Sequence, residues 1–239
     1  MLSLVVVLPH PPLLVPELAA GAAGETAELR AAVRSAAARL AQAAPDWLAV
    51  GADPGGRRTV PPGTAGTFLG FGRDVRVALG PGAGDPEPDL PLSLLVAGWA
   101  AGATGTAPRI RGELVADDAP TADCLQLGRE LAAEADAAPG PVGLLIVGDG
   151  AATHTAKAPG HLDERAAPFD ACVAKALEHG DPAPLAALDP GLAGELWAVG
   201  RAPWQVLAGA AEERDWCGEL LYSAAPYGVA YHVAVWTPV

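Results

Sequence analysis

The amino-acid sequence predicts an α/β fold whose sheet is mixed or parallel and covered by helices on both faces. Three observations predict it. Short apolar runs rich in β-branched residues recur along the chain, as in LSLVVVL at residues 2–8 and VGLLIV at 142–147. Stretches of helical period separate these runs, the pattern of strands joined by crossover helices. Several runs stop at Gly, Pro or Asp, so polar residues collect at strand ends, where α/β proteins bind ligands.

The elements follow in order. LSLVVVL reads as a buried first strand that Pro9-His10-Pro11-Pro12 cuts short. Thr26 then stands where it can cap a helix running to residue 42, with Leu29, Val33, Ala37 and Leu40 at helical spacing and Arg30, Arg34 and Arg39 on the solvated side. DWLAVG is the second strand. The Gly/Pro-rich stretch after it, residues 52–72, is long for a compact domain and therefore functional or mobile. RVAL, IRGELVA and GLLIVG are further strands, with helices at 91–102 and 121–137 between them. Helices at 168–178 and across 182–210 precede a closing strand, VAYHVAVW.

Length and charge bound the function. With 239 residues, 51% of them hydrophobic, the chain can bury a substantial core, and one domain over 1–239 is expected. A net charge of −13 excludes a partner that presents a phosphate backbone, because nucleic-acid binding needs a basic face. Cys124, Cys172 and Cys217 are odd in number, far apart and without a CxxC pair, which suits a reducing compartment. No Lys or Arg precedes the first apolar run, unlike a secretory signal, and LPLSLLVAGWAAGATG is too short and Gly-rich to span a bilayer. A cytoplasmic protein with no membrane partner is expected.

Two histidines stand at strand ends. His10 follows the first strand, and His154 follows VGLLIV after a Gly-Asp-Gly that lets the chain turn. Imidazoles in such places serve as ligands or acid–base groups, or simply bond a backbone carbonyl. Asp149 can orient a histidine or cap the turn, and Asp53 ahead of Pro54 suits an Asx turn. Arg57 and Arg58 can hold a carboxylate or phosphate through two parallel hydrogen bonds, or form a solvated pair. His161 lies in a loop from which it could reach the cleft. His179 suits a helix C-terminus, and His232 in the last strand reads as structural.

VLPHPPLLVPEL, GDGAATHTAKAPGHLDERAAPFD and YSAAPYGVAYHVA, in this order and at these distances, resemble the class III extradiol ring-cleavage dioxygenase family. The resemblance spans nearly the full chain; Memo-type proteins share the superfamily. It implies one three-layer αβα domain with a central mixed sheet and an Fe(II) cleft at one end, where O₂ opens catecholic rings. It also implies that His10 is the first metal ligand and His154 the acid–base histidine. The family's second histidine falls at Asp53 in VGADPGG, and its carboxylate falls near Ser223-Ala224-Ala225-Pro226, where none stands. Because non-haem Fe(II) sites need two His and one carboxylate, the metal site is depleted.

The resulting expectation is a divergent member of this family that binds a small ligand, aromatic in character, in a vestigial cleft. His10 and Asp53 are its metal-ligand positions, and His154 is its acid–base group. Arg57, Arg58, Asp149 and His161 are the candidates for ligand contact. The alternatives are an active Fe(II) dioxygenase acting on a catechol, with Fe(II) or another divalent metal as cofactor, and a zinc hydrolase built on His10, Asp53 and His154. Family members also form homodimers, though no residue here marks an interface.

Overall fold

The computed structural model of the protein describes residues 1–19, 21 and 24–239. Its elements run β1 (Leu2–Leu8), α1 (Pro16–Ala19), α2 (Ala27–Ala43), β2 (Asp46–Ala52), β3 (Arg58–Val60), β4 (Ala65–Thr67), β5 (Arg76–Ala78), α3 (Leu92–Gly102), β6 (Arg109–Val115), α4 (Thr121–Ala137) and β7 (Val142–Val147). The second half adds α5 (Ala166–His179), α6 (Pro182–Ala186), α7 (Pro190–Glu195), α8 (Arg201–Ala211), β8 (Trp216–Ala224) and β9 (Tyr231–Pro238).

Seven strands form one mixed sheet in the order β3-β6-β2-β7-β1-β9-β8. The four middle strands β6, β2, β7 and β1 are parallel, while β3, β9 and β8 each run antiparallel to their neighbour. Helices pack on both faces, giving three αβα layers. Alternation along the strands divides the core: Leu144 and Ile146 of β7 join the layer of α4, α5 and α8, whereas Leu145 and Val147 join that of α2 and α3. Buried on both faces, the parallel strands read as continuous apolar runs. No helix among the described residues is long and apolar enough to cross a membrane.

Several sequence expectations need correction. RVAL contributes β5, which pairs with β4 in a separate two-stranded ribbon rather than the main sheet. The 52–72 stretch is ordered into β3, at the sheet edge, and β4. The helical span at 182–210 breaks into α6, α7 and α8, where Asp181 and Asp189 each cap a new start ahead of a proline. β8 has no counterpart in the sequence pattern: it is an edge strand of irregular burial with a register shift between Leu220 and Tyr222, so its alternation is blurred. Arg30 is buried rather than solvated, and donates 3.0 Å to Thr26 Oγ1. Thr26 is the N-cap residue of α2, yet its hydroxyl does not cap the helix.

Candidate functional site

The parallel strands share one C-terminal edge, and each delivers a polar side chain just beyond its end. In spatial order β6, β2, β7 and β1 lead to Asp117, Asp53, Asp149 and His10. This edge is where open α/β sheets bind ligands.

His10 is tied to β7 through Asp149. Its backbone N–H donates 2.7 Å to Asp149 Oδ1, and its Nδ1 lies 3.3 Å from the same oxygen. Burial pulls the His10 imidazole pKa down, but the Asp149 carboxylate beside it more than offsets this, leaving the pKa above the usual histidine value. Burial, reinforced by the Asp149 charge, also pushes the Tyr231 phenol far above its ordinary range.

A raised folded pKa means that the His10–Asp149 pair stabilises the fold fully below the unfolded value of 6.5, and that the gain is lost as pH rises through the folded value. His10→Gln is therefore expected to destabilise the protein more at about pH 5.5 than at about pH 9. Urea denaturation at both values checks this. Equal losses at the two would contradict the pairing.

His154 belongs to a second network, centred on Asp170 of α5. His154 Nε2 lies 2.6 Å from Asp170 Oδ2, and His232 Nε2 lies 3.2 Å from Oδ1. The Ala151 N–H reaches both oxygens, at 3.3 and 3.2 Å. An ionised carboxylate only accepts, so both imidazoles donate from Nε2. Nδ1 of His154 has no partner among the described residues, and the Ser223 hydroxyl lies 3.0 Å from His232 Nδ1. Asp170 and His232 are buried, and His154 is half-buried.

The orienting partner of His154 is thus Asp170, not Asp149, which serves His10. Asp170 was missed because it stands inside a predicted helix; a carboxylate on the same buried face as Phe169 and Val173 was the signal available. Asp117 was missed too, its signal being the Asp-Asp pair directly after a strand. His232 is more than a packed residue, since it completes the Asp170 network.

A cavity of about 240 Å³ opens at the edge, with His10, Asp53, Ser93 and Asp117 as its polar lining. His10 and Asp53 therefore meet in one cavity, whereas His154 follows the same strand edge but does not line it. Asp53 accepts from Gly55 N–H at 3.0 Å in an Asx turn and from Arg58 at 3.2 Å. Arg58 so reaches the rim through Asp53. Arg57 pairs with Glu130 away from this cavity, and His161 is an exposed residue whose Nδ1 lies 3.0 Å from the Ala156 carbonyl oxygen.

Strain gathers beside this edge. Among the described residues the non-glycine positions with positive φ are His161 at 63°, Trp197 at 55° and Tyr227 at 61°. All three border the loop that carries His154: Gly160 packs on Trp197, Gly228 packs on Thr155 and Ala158, and the His154 N–H donates to the Gly228 carbonyl. Bulky residues held at positive φ are outliers that persist only where their surroundings over-determine them.

The residues present do not fit a tight Fe(II) centre. No group of three or more His, Cys, Asp or Glu among the described residues is arranged to hold a metal ion. Both oxygens of Asp53 are occupied by protein donors. Ala224 ends β8, four strands from β2, a lateral separation of about 19 Å at strand spacing, too far for ligands at positions 53 and 224 to share an ion.

No family model and no curated protein matches the chain. Among solved structures, an uncharacterized protein from Escherichia coli K12 is similar in fold, with a TM-score of 0.57 and 14% identity over 98% of this chain and 99% of that one. At that identity the likeness speaks to the fold alone.

Proposed function

We propose that this protein is a divergent member of the class III extradiol dioxygenase superfamily that binds a small hydroxylated aromatic molecule at the C-terminal edge of its parallel strands, in place of iron-dependent ring cleavage. One observation supports this reading above the rest: His10 lines the cavity with its Nδ1 3.3 Å from the Asp149 carboxylate, though without a hydrogen bond, and its Nε2 has no protein partner among the described residues. An imidazole held in this way presents one directed nitrogen to a ligand hydroxyl and has a carboxylate behind it to stabilise a proton. Asp53, already paired with Arg58, shapes the wall of the cavity. A concave cavity with a few polar side chains among apolar ones suits a small molecule.

A second reading, catalysis with a bound divalent metal, draws on the same feature, since metal-ligating histidines are commonly oriented by carboxylates. Titration separates the two. Catechol and substituted catechols are expected to bind the wild-type protein, with affinity falling at least about tenfold in His10→Ala, the loss of a charge-assisted hydrogen bond. Anaerobic addition of Fe(II) is expected to show only weak, His10-dependent binding, and oxygenation to yield little ring-opened product. Absence of catechol binding at about 10 mM would refute the proposal, and stoichiometric tight iron with rapid ring cleavage would establish the second reading instead.

A further inference from the structure

The cavity beside His10 holds a feature that catechol binding leaves unused. Its inner wall is the N-terminus of α3, an eleven-residue helix capped by Pro91, a residue without a side-chain cap. The N–H groups of Leu92 and Ser93 have no carbonyl behind them in the helix and meet no acceptor elsewhere among the described residues. Ser93 adds a hydroxyl that is buried, with the residue 2% exposed, and that has no hydrogen-bond partner among the described residues. This hydroxyl lies over Gly51 at the end of β2, in space that a Cβ on Gly51 would fill. A glycine at that place lets the start of α3 close onto β2, where Ser93 lines the cavity together with Ala52 and Asp53.

Buried hydroxyls are normally paired, and one left without a partner is destabilising. Two N–H groups and a hydroxyl without partners among the described residues, with the positive end of a helix dipole, come together at the wall of a cavity that His10 also lines. From this convergence we infer that the α3 N-terminus and Ser93 form an oxyanion subsite, which takes a carboxylate or phosphate group of the ligand bound at His10. The inference rests on the ligand-cleft reading above and names the charge that the ligand carries. The local charges permit it. Asp53 is balanced by Arg58, and Asp149 accepts the His10 backbone N–H. Asp117, exposed at the rim and without an ion-pair partner among the described residues, is the acid left to oppose an anion.

Calorimetric titration of the full chain with benzoate, inorganic phosphate and benzyl alcohol, run beside catechol, tests this. Benzoate or phosphate is expected to bind at least about tenfold more tightly than benzyl alcohol, the preferred anion showing whether the site suits a planar or a tetrahedral group. Ser93→Ala is expected to weaken the anion by about tenfold, a charge-assisted hydrogen bond, while leaving thermal stability unchanged or raised, because its hydroxyl has no protein partner to lose. Asp117→Asn is expected to tighten the anion severalfold by removing the opposing charge. Equal binding of benzoate and benzyl alcohol, or no effect of Ser93→Ala on an anion that does bind, overturns the subsite. Catechol binding without any anion binding overturns the subsite and leaves the cleft reading standing; failure of all four probes overturns both.

Discussion

Asp170→Leu is expected to lower the unfolding free energy by about 3–5 kcal/mol, the usual consequence of removing one member of a buried charged network. The carboxylate accepts from His154, His232 and the Ala151 N–H, and none of these atoms has a second acceptor among the described residues. The substitution thus strands two buried donors and a half-buried one, while the added side chain meets Gly150, whose Cα lies against the carboxylate. Asp170→Asn keeps one acceptor and replaces the other with a donor facing an imidazole N–H, so about half that loss is expected. Urea denaturation at neutral pH measures both. A loss below about 1 kcal/mol for Asp170→Leu would mean that the network is replaceable by packing alone.

A loss of similar size is expected where α4 crosses α8. A Cβ on Gly128 would overlap the Val206 carbonyl oxygen, and one on Gly209 would overlap the Leu125 carbonyl oxygen, so the two glycines let the helix backbones touch. Backbone atoms cannot rotate aside as a side chain does. Gly128→Val and Gly209→Val must separate the helices and disturb the layer that covers this face of the sheet, at a cost of about 3 kcal/mol or more each. For a chain of this size that corresponds to a fall in Tm of about 6–12 °C. The double variant is expected to lose less than the sum, because either substitution alone opens the same crossing. Full additivity would place the damage elsewhere.

The fold class was legible because its strongest signals are local. β1, β2 and β7 are buried on both faces and therefore read as unbroken apolar runs, and α2 and α4 carry long amphipathic periods between capping residues and breaks. β8 escaped because an edge strand with a register shift loses its alternation, and β5 was misplaced because three apolar residues do not say which sheet they join. The strand-end position of His10, Asp53 and Asp149 was legible for the same reason that the strands were. Their pairings were not. Asp149 stands five residues from His154 in sequence but meets His10, which is 139 residues away, because β1 and β7 are adjacent parallel strands. Asp170 lies a helix away from His154, and no spacing rule links a loop histidine to a buried helical acid. Ser93 and Asp117 enter the cavity only through sheet order, which a single sequence does not reveal.

In the proposed binding mode the free Nε2 of His10, the histidine that lines the cavity, faces the ligand. Long-range ¹H–¹⁵N correlation spectra of the imidazoles address it directly, since the chain has 5 histidines and each can be assigned by His→Gln substitution. In the free protein, His154 and His232 are expected to carry their proton on Nε2. On addition of catechol the signals of His10 are expected to move, while those of the surface residues His161 and His179 stay in place. Ligand binding that shifts His161 or His179 but leaves His10 unmoved would contradict this binding mode.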